Sequence, residues 1–439
     1  MVSNKTMNDI VGVGFGPSNI ALAVCIEEMH PDLTACFIEV KPTAEWQPGM
    51  MVHRANIQNH PCRDFVTPRN PRSRYTFINY LFENGLLLRH LNLAIEAPLR
   101  KEYARYISWV AGHFAHQVVY GERVTGAEPM YDAARRPIGW RVRTAHGGEY
   151  LGRALVVAPG RTPYIPQVFH GVETPRIYHL NDYLPRTNEL LERGGLDRIA
   201  VVGASQSAVE ILLDVTKRAS HAHITSYFRH FGFRLKDTSP FMEEAVFPEH
   251  IEPYYRATAA QKAEIDRDLR YMNYSAADMD VVKDLYLTLY EQDLDECPRI
   301  ELRRNRDIFQ AQMVGDRVRI GDRERYSGSE ETRDFDAVIL ATGFRDVGPG
   351  EMQERIPPLL MPIADNMLLN EQGCIHVNFD YSLSPRDQRR DLPPVYLNGL
   401  CEGSHGISDA GSFSLLSLRS MRILEAIDST LRPRQQDAM

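Results

Sequence analysis

A strand–glycine turn–helix unit occurs twice in this chain, at residues 9–29 and 198–215, and a further apolar strand ends in a small-residue turn at 341–344. These observations predict an α/β fold with two Rossmann-like domains and a smaller, partly helical region. The length of 439 residues agrees, suggesting about three domains at roughly 150 residues each.

The elements follow in order. DIVGVG at 9–14 is a short β-branched strand, SNIALAVCIEEM a helix, and ACFIEV a second strand. Residues 42–75, rich in Pro, Asn and Arg, read as a long irregular loop of the kind that carries function. Residues 76–113 are mostly helical, and 117–158 are short strands with turns. RIAVVGASQSAVEILLDV repeats the first unit. A second irregular loop spans 229–256, a polar helical stretch 259–293, and a final helix begins at SLLSLRS. The strand FDAVIL before Ala341-Thr342-Gly343-Phe344 is expected to return the chain to the first domain, and the tail LRPRQQDAM to fray.

Composition narrows the class. With 43% apolar and 25% charged residues the chain is neither collagen-like, a disulfide scaffold nor wholly disordered. A net charge of −8 gives no global attraction for nucleic acid or anionic membrane. The six cysteines make no C-x-x-C pair and read as reduced thiols of a cytoplasmic protein. The stretch MVSNKTMNDIVGVGFG has no long apolar segment with a small-residue cleavage site, so a signal peptide is not expected, and no apolar run approaches the ~18 residues of a membrane span. The histidines have no metal-ligand spacing, so no metal is expected.

The glycine turns carry the chemistry. Gly12 and Gly14 suit a tight turn whose amides approach a pyrophosphate, at the start of a helix that supplies oriented N–H groups. Pro17 suits the first helical turn. Glu39 closes the second strand, where an acid accepts from a ribose hydroxyl. In the second turn Gly203, Ser205, Gln206 and Ser207 take the same places, with serine at the third position. Downstream, Arg229 and Arg234 are candidates to grip a 2′-phosphate, which favours NADP over NAD; Glu210 is expected at the helix surface. Two dinucleotide-binding domains imply FAD plus a nicotinamide. Without a C-x-x-C the flavin's electrons have no dithiol to reach, and O2 is the expected acceptor.

These residues resemble a known family, the N-hydroxylating flavin monooxygenases: the ornithine, lysine and diamine N-hydroxylases of siderophore and related biosynthesis. The resemblance spans nearly the whole chain. It rests on GVGFGPSNIAL at 12, Trp46-x-Pro48-Gly49-Met50, Gln58, RNPRSRYTFINYL at 69, the Arg100…Tyr106…Trp109 helix, GASQSAVE at 203, DTSPF at 237, NYS at 273, ATGF at 341 and HGISD at 405. It implies FAD and NADPH as cofactors, and a C4a-hydroperoxyflavin whose distal oxygen is taken by a neutral primary amine. It places an FAD-binding domain at 1–175 and 335–439, an NADPH-binding domain at 196–240 and 298–334, and a helical substrate-binding region at 241–297.

By position, the resemblance assigns Gly12, Gly14, Pro17, Ser18, Glu39, Trp46 and Gln58 to FAD, with Gln58 beside the reacting centre and Asp409 near the flavin. It assigns Gly203, Ser205, Gln206, Ser207, Arg229 and Arg100 to NADPH. Asn273 is implied in catalysis and substrate binding, and Ser417 lies near the reacting amine. A homo-oligomer, dimer or tetramer, is also implied.

Departures bear on the substrate. Arg63 stands where the ornithine enzymes carry a lysine for the substrate carboxylate, and Glu243 where they carry an asparagine. The two can clamp an amino acid, pair with each other, or leave Glu243 to take the far ammonium of putrescine or cadaverine. Gln47 replaces a histidine, and Ala410-Gly411-Ser412-Phe413 looks like an insertion. The substrate is therefore L-ornithine, a related amino acid or a diamine. A Baeyer–Villiger or sulfur-oxygenating flavoprotein is the other enzyme reading, although its F-x-G-x-x-x-H signature is missing between the turns.

Overall fold

The computed structural model describes residues 6–387, 391–409, 411 and 413–432. Strand β1 (Met7–Val13), helix α1 (Pro17–Met29) and strand β2 (Ala35–Glu39) form the first unit. Helices α2 (Phe77–Glu83), α3 (Leu87–Leu93) and α4 (Arg100–His113) follow the long loop. Strands β3 (Val118–Tyr120), β4 (Val124–Tyr131), β5 (Pro137–Thr144) and β6 (Glu149–Val157) complete this stretch.

The second unit comprises β7 (Ile177–His179), α5 (Tyr183–Arg193), β8 (Arg198–Val202), α6 (Gln206–Arg218) and β9 (His223–Tyr227). Helices α7 (Pro240–Glu243), α8 (Ile251–Arg256), α9 (Ala259–Asn273) and α10 (Met279–Leu294) come next. Strands β10 (Ile300–Arg303), β11 (Arg306–Val314), β12 (Arg317–Glu324), β13 (Glu330–Phe335) and β14 (Ala337–Leu340) follow. The chain ends through β15 (Asp346–Val347), β16 (Gln353–Glu354), β17 (Val395–Leu397), α11 (Glu402–His405) and α12 (Leu416–Leu431).

The first sheet runs β3-β2-β1-β6-β5-β4, with β17 also pairing β6. Strands β1, β2, β3, β6 and β17 are parallel; the β4–β5–β6 pairings are antiparallel. Helix α1 is buried from Asn19 to Ile26 without a polar face, because it lies between this sheet and α12.

The second sheet, β10-β9-β8-β14-β7, is wholly parallel. Strand β14 corrects an expectation: it does not return the chain to the first sheet but lies between β8 and β7 in the second. All four of its residues are buried, as a central strand requires, and an all-apolar run fits the centre of either sheet. The return is made by β17. The antiparallel ribbon β11-β12-β13 packs Val318, Ile320 and Phe335 against Ala200, Val338 and Leu340 of the second sheet. Helix α10 packs on α6, so the helical region shares the second core.

Candidate active site

The first glycine turn joins β1 to α1 at the carboxyl end of the first sheet. Gly14 has φ +83°, and a Cβ there would stand 2.3 Å from the Ala158 carbonyl oxygen, so only glycine fits. A Cβ on Gly16, the N-cap of α1, would meet nothing within 4 Å: open space adjoins the helix N-terminus. Gly12 packs under the Phe37 ring, and Pro17 opens the helix. Glu39, buried at the end of β2, accepts the Phe15 N–H at 2.6 Å and the Lys41 N–H at 2.9 Å.

Ser18 Oγ accepts from Arg419 Nη2 at 3.0 Å. Arg419 also pairs with Asp409 Oδ1, while the Tyr381 hydroxyl donates to Asp409 Oδ2 at 2.6 Å. Asp409 is 1% exposed with both oxygens engaged. Through Arg419 it is tied to Ser18 of the first turn. Trp46 is half-buried, edge-on to Tyr103 and Phe413. Ser417 is buried, and its hydroxyl has no partner among the described residues. Ala410 and Ser412 of the insertion lie outside the described residues.

The second turn opens a cleft of about 530 Å³ at the carboxyl ends of β8, β9 and β14. Gly203 has φ +142°, and a Cβ on it would come within 2.3 Å of the Ala341 carbonyl oxygen. Ser205, Gln206 and Ser207 line the cleft at the N-terminus of α6, and the Ser205 side chain makes no capping bond. Arg229 lines the cleft and has no ion-pair partner among the described residues. Arg234 lies outside the wall, its guanidinium over the Tyr271 ring at 4.6 Å. His230, Lys236, Arg270 and Arg306 also line the cleft. Burial, then the charges of Arg234, Arg229, Arg325 and Arg270, push the His230 pKa down. A wall this cationic suits a phosphate.

Gln58, in the left-handed region at φ 54°, reaches the same cleft from the long loop. Its Nε2 donates to Asp278 Oδ2 at 2.8 Å. The Asp278 N–H donates to Gln206 Oε1 at 2.9 Å, and Gln206 Nε2 donates to Glu210 Oε1 at 3.0 Å. Arg100 completes the chain with bonds of 2.9 and 3.0 Å to Glu210, and donates to the Met50 carbonyl at 2.7 Å. This corrects two expectations. Arg100 is not at the cleft but is buried in a bidentate pair, and Glu210 is 4% exposed rather than at the surface. An arginine and a glutamate can enter an interior only by such pairing.

On the substrate side, Arg63 Nη2 lies 3.0 Å from Glu243 Oε2, with side-chain exposures of 28% and 36%. Asn273, the last residue of α9, is exposed and lines the cleft.

A family model described as L-lysine 6-monooxygenase/L-ornithine 5-monooxygenase matches residues 6–346. The chain belongs to that family. An L-ornithine N(5)-monooxygenase from Burkholderia cepacia is 36% identical over 415 residues, spanning 92% of this chain and 91% of that protein. The reduced form of ornithine hydroxylase from Pseudomonas aeruginosa superposes with a TM-score of 0.88 at 31% identity, covering 97% of this chain and 100% of that one. An ornithine N-hydroxylase from Kutzneria sp. 744, with reduced FAD, NADP+ and L-ornithine, gives 0.88 at 28% identity, again covering 97% and 100%.

This family member also holds a buried polar cluster that no sequence motif announces. Arg161 Nη2 lies 2.9 Å from the Tyr274 hydroxyl, 3.6 Å from Asp346 and 3.8 Å from Glu402, and Tyr274 donates to Glu402. Four distant segments supply it, so no local motif could have signalled it. Burial and the Asp346 charge push the Glu402 pKa up to about 7.

Proposed function

We propose that this chain is an FAD- and NADPH-dependent monooxygenase that N-hydroxylates the terminal primary amine of L-ornithine or a closely related amino acid, in siderophore or related biosynthesis. The observation that carries it is Gln58, on the loop that follows the first βαβ unit, lining the cleft at the second glycine turn in a chain of this family. When bound, NADPH supplies electrons and the flavin activates O2.

The residues present fit both nucleotides. Gly12, Gly14, Pro17 and Ser18 put the N-terminus of α1 against open space suited to a diphosphate; Glu39 takes the ribose, and Trp46 borders the ring. Gly203, Ser205, Gln206 and Ser207 offer the N-terminus of α6 to the second diphosphate, with Arg229 for the 2′-phosphate. The FAD domain is 1–175 with the C-terminal part of 335–439, strand β14 passing to the NADPH domain of 196–240 and 298–334; the substrate region is 241–297. Gln58 and Asn273 face the reacting centre, and Ser417 offers nearby a hydroxyl that is unpartnered among the described residues. A free primary amine has a pKa near ~10.4, so the site must take the substrate's reacting nitrogen neutral, most simply by desolvation.

The Arg63–Glu243 pair supports an amino-acid substrate. Its two charges are complementary to an α-carboxylate and an α-ammonium, and the pair is exposed enough to open. Glu243 also favours a second reading, a diamine whose far ammonium it would hold. Incubating the yellow protein with NADPH and ornithine, lysine, putrescine, cadaverine or aspartate, and measuring hydroxylamine, decides between them; no hydroxylamine from any amine refutes both.

No helix among the described residues is long and apolar enough to cross a membrane. We place the enzyme in the cytoplasm, where its six unpaired cysteines would stay reduced. We also propose a homo-oligomer, dimer or tetramer: Tyr286, Tyr290 and Leu294 form an exposed apolar stripe on α10.

A further inference from the structure

Asp278 stands at a junction of three segments. It is the N-cap residue of α10, where an aspartate ordinarily accepts one of the orphan amides of the first turn. Here its side chain makes no capping bond. The carboxylate is turned instead to the Gln58 amide at 2.8 Å, and its backbone N–H is held by Gln206, the first residue of α6. A helix that forgoes its own cap in favour of a glutamine 220 positions away marks that glutamine's orientation as the feature being maintained.

We propose that Asp278 is a positioning residue that fixes which end of the Gln58 amide faces the cleft. A carboxylate can only accept, so the NH2 of Gln58 must turn to Asp278 and the carbonyl oxygen must face away from it. Gln58 lines the cleft, and no hydrogen bond among the described residues reaches its Oε1. The oxygen is thus presented as an acceptor for an N–H of substrate or cofactor. The backbone is held to match: the Gln58 N–H donates to Asn56 Oδ1 at 2.9 Å, maintaining the left-handed conformation. The same aspartate ties this arrangement to α6, whose N-terminus borders the nucleotide cleft. The proposal rests on the reading of Gln58 as a catalytic group.

The test uses the holoenzyme with three changes. Asp278→Ser can still cap α10 but cannot hold Gln58; Asp278→Glu keeps a carboxylate; Gln58→Ala removes the amide. In Asp278→Ser, hydrogen exchange of segment 56–60 should accelerate about tenfold, the loss expected for one charge-assisted hydrogen bond. Hydroxylamine formed per NADPH consumed should fall severalfold, while KM for NADPH stays within about twofold. Asp278→Glu should recover much of both. The double variant Gln58→Ala/Asp278→Ser should be no worse coupled than Gln58→Ala alone. Unchanged exchange at 56–60, or additive losses in the double variant, would overturn the role of Asp278. A fully coupled Gln58→Ala enzyme would instead overturn the reading of Gln58, and the exchange measurement would still decide whether Asp278 holds it.

Discussion

Arg100 and Glu210 face each other through two hydrogen bonds of 2.9 and 3.0 Å, and each is less than 10% exposed. One stands at the start of α4, on the first sheet's side of the molecule; the other is on α6, which packs on the second sheet. The pair therefore pins the two nucleotide halves together directly behind the cleft. Removing one partner strands a buried charge.

Glu210→Ala should accordingly destabilise by about 3–5 kcal/mol, the cost of an uncompensated buried ion. Replacing both residues with apolar ones of similar volume should cost much less. Thermal unfolding of the holoenzyme reads the effect. If Arg100→Ala instead left the unfolding midpoint in place and raised KM for NADPH more than tenfold, Arg100 would be the nucleotide ligand that the family resemblance implies.

Arg63→Ala should raise KM at least tenfold for an amino-acid substrate and little for a simple diamine, because only the former presents a carboxylate. The exposed pair with Glu243 is worth at most about 1 kcal/mol, so stability should barely change. Glu243→Ala should spare lysine and ornithine more than putrescine if Glu243 serves a far ammonium. Steady-state hydroxylamine formation with ornithine, lysine, putrescine and cadaverine checks both. An equal response from every amine would make the pair structural.

These predictions separate what local sequence carries from what it does not. The turn positions Gly14, Pro17 and Gly203 were legible because a strand, a left-handed or crowded turn and a helix start occupy adjacent residues. The partnership of Arg100 with Glu210 was not, since 110 positions separate them and nothing local to either names the other. The partners of Asp409, Arg419 and Tyr381, were illegible for the same reason: packing sets them. Strand β14 was placed in the wrong sheet because a short all-apolar run carries no sign of its neighbours. Arg270 and Lys236 reach the cleft only through the fold of the 229–280 segment.

Arg229→Ala should weaken NADPH by about ten- to a hundredfold, the range of a lost charge-assisted contact to phosphate, and leave NADH nearly unchanged. Arg234→Ala should act less, since that side chain is stacked on Tyr271 outside the wall. Initial rates of flavin reduction with each nucleotide measure this. Equal losses for NADPH and NADH would refute a 2′-phosphate role.

The Glu402 cluster predicts a pH dependence of stability. Burial and the neighbouring Asp346 charge raise the Glu402 pKa from 4.5 to about 7. Between these values the folded state holds a proton that the unfolded chain has lost, so stability falls as pH rises from about 4.5 to 7. With a fifth of the side chain reaching solvent, the effect should be on the order of 2 kcal/mol. His405 works in the opposite sense. Burial lowers its pKa from 6.5 to about 4, so over that window the unfolded chain binds the extra proton and stability rises with pH. Wild type alone would therefore show a muted profile. Glu402→Gln keeps the hydrogen bond with Tyr274 available but removes the titration, leaving the His405 contribution intact. Denaturant midpoints measured from pH 5 to 8 should show the variant gaining on wild type up to about pH 7 and levelling off above it. A constant difference across that range would mean Glu402 stays ionised in the folded enzyme, and the cluster would be an ordinary ion-pair network around Arg161.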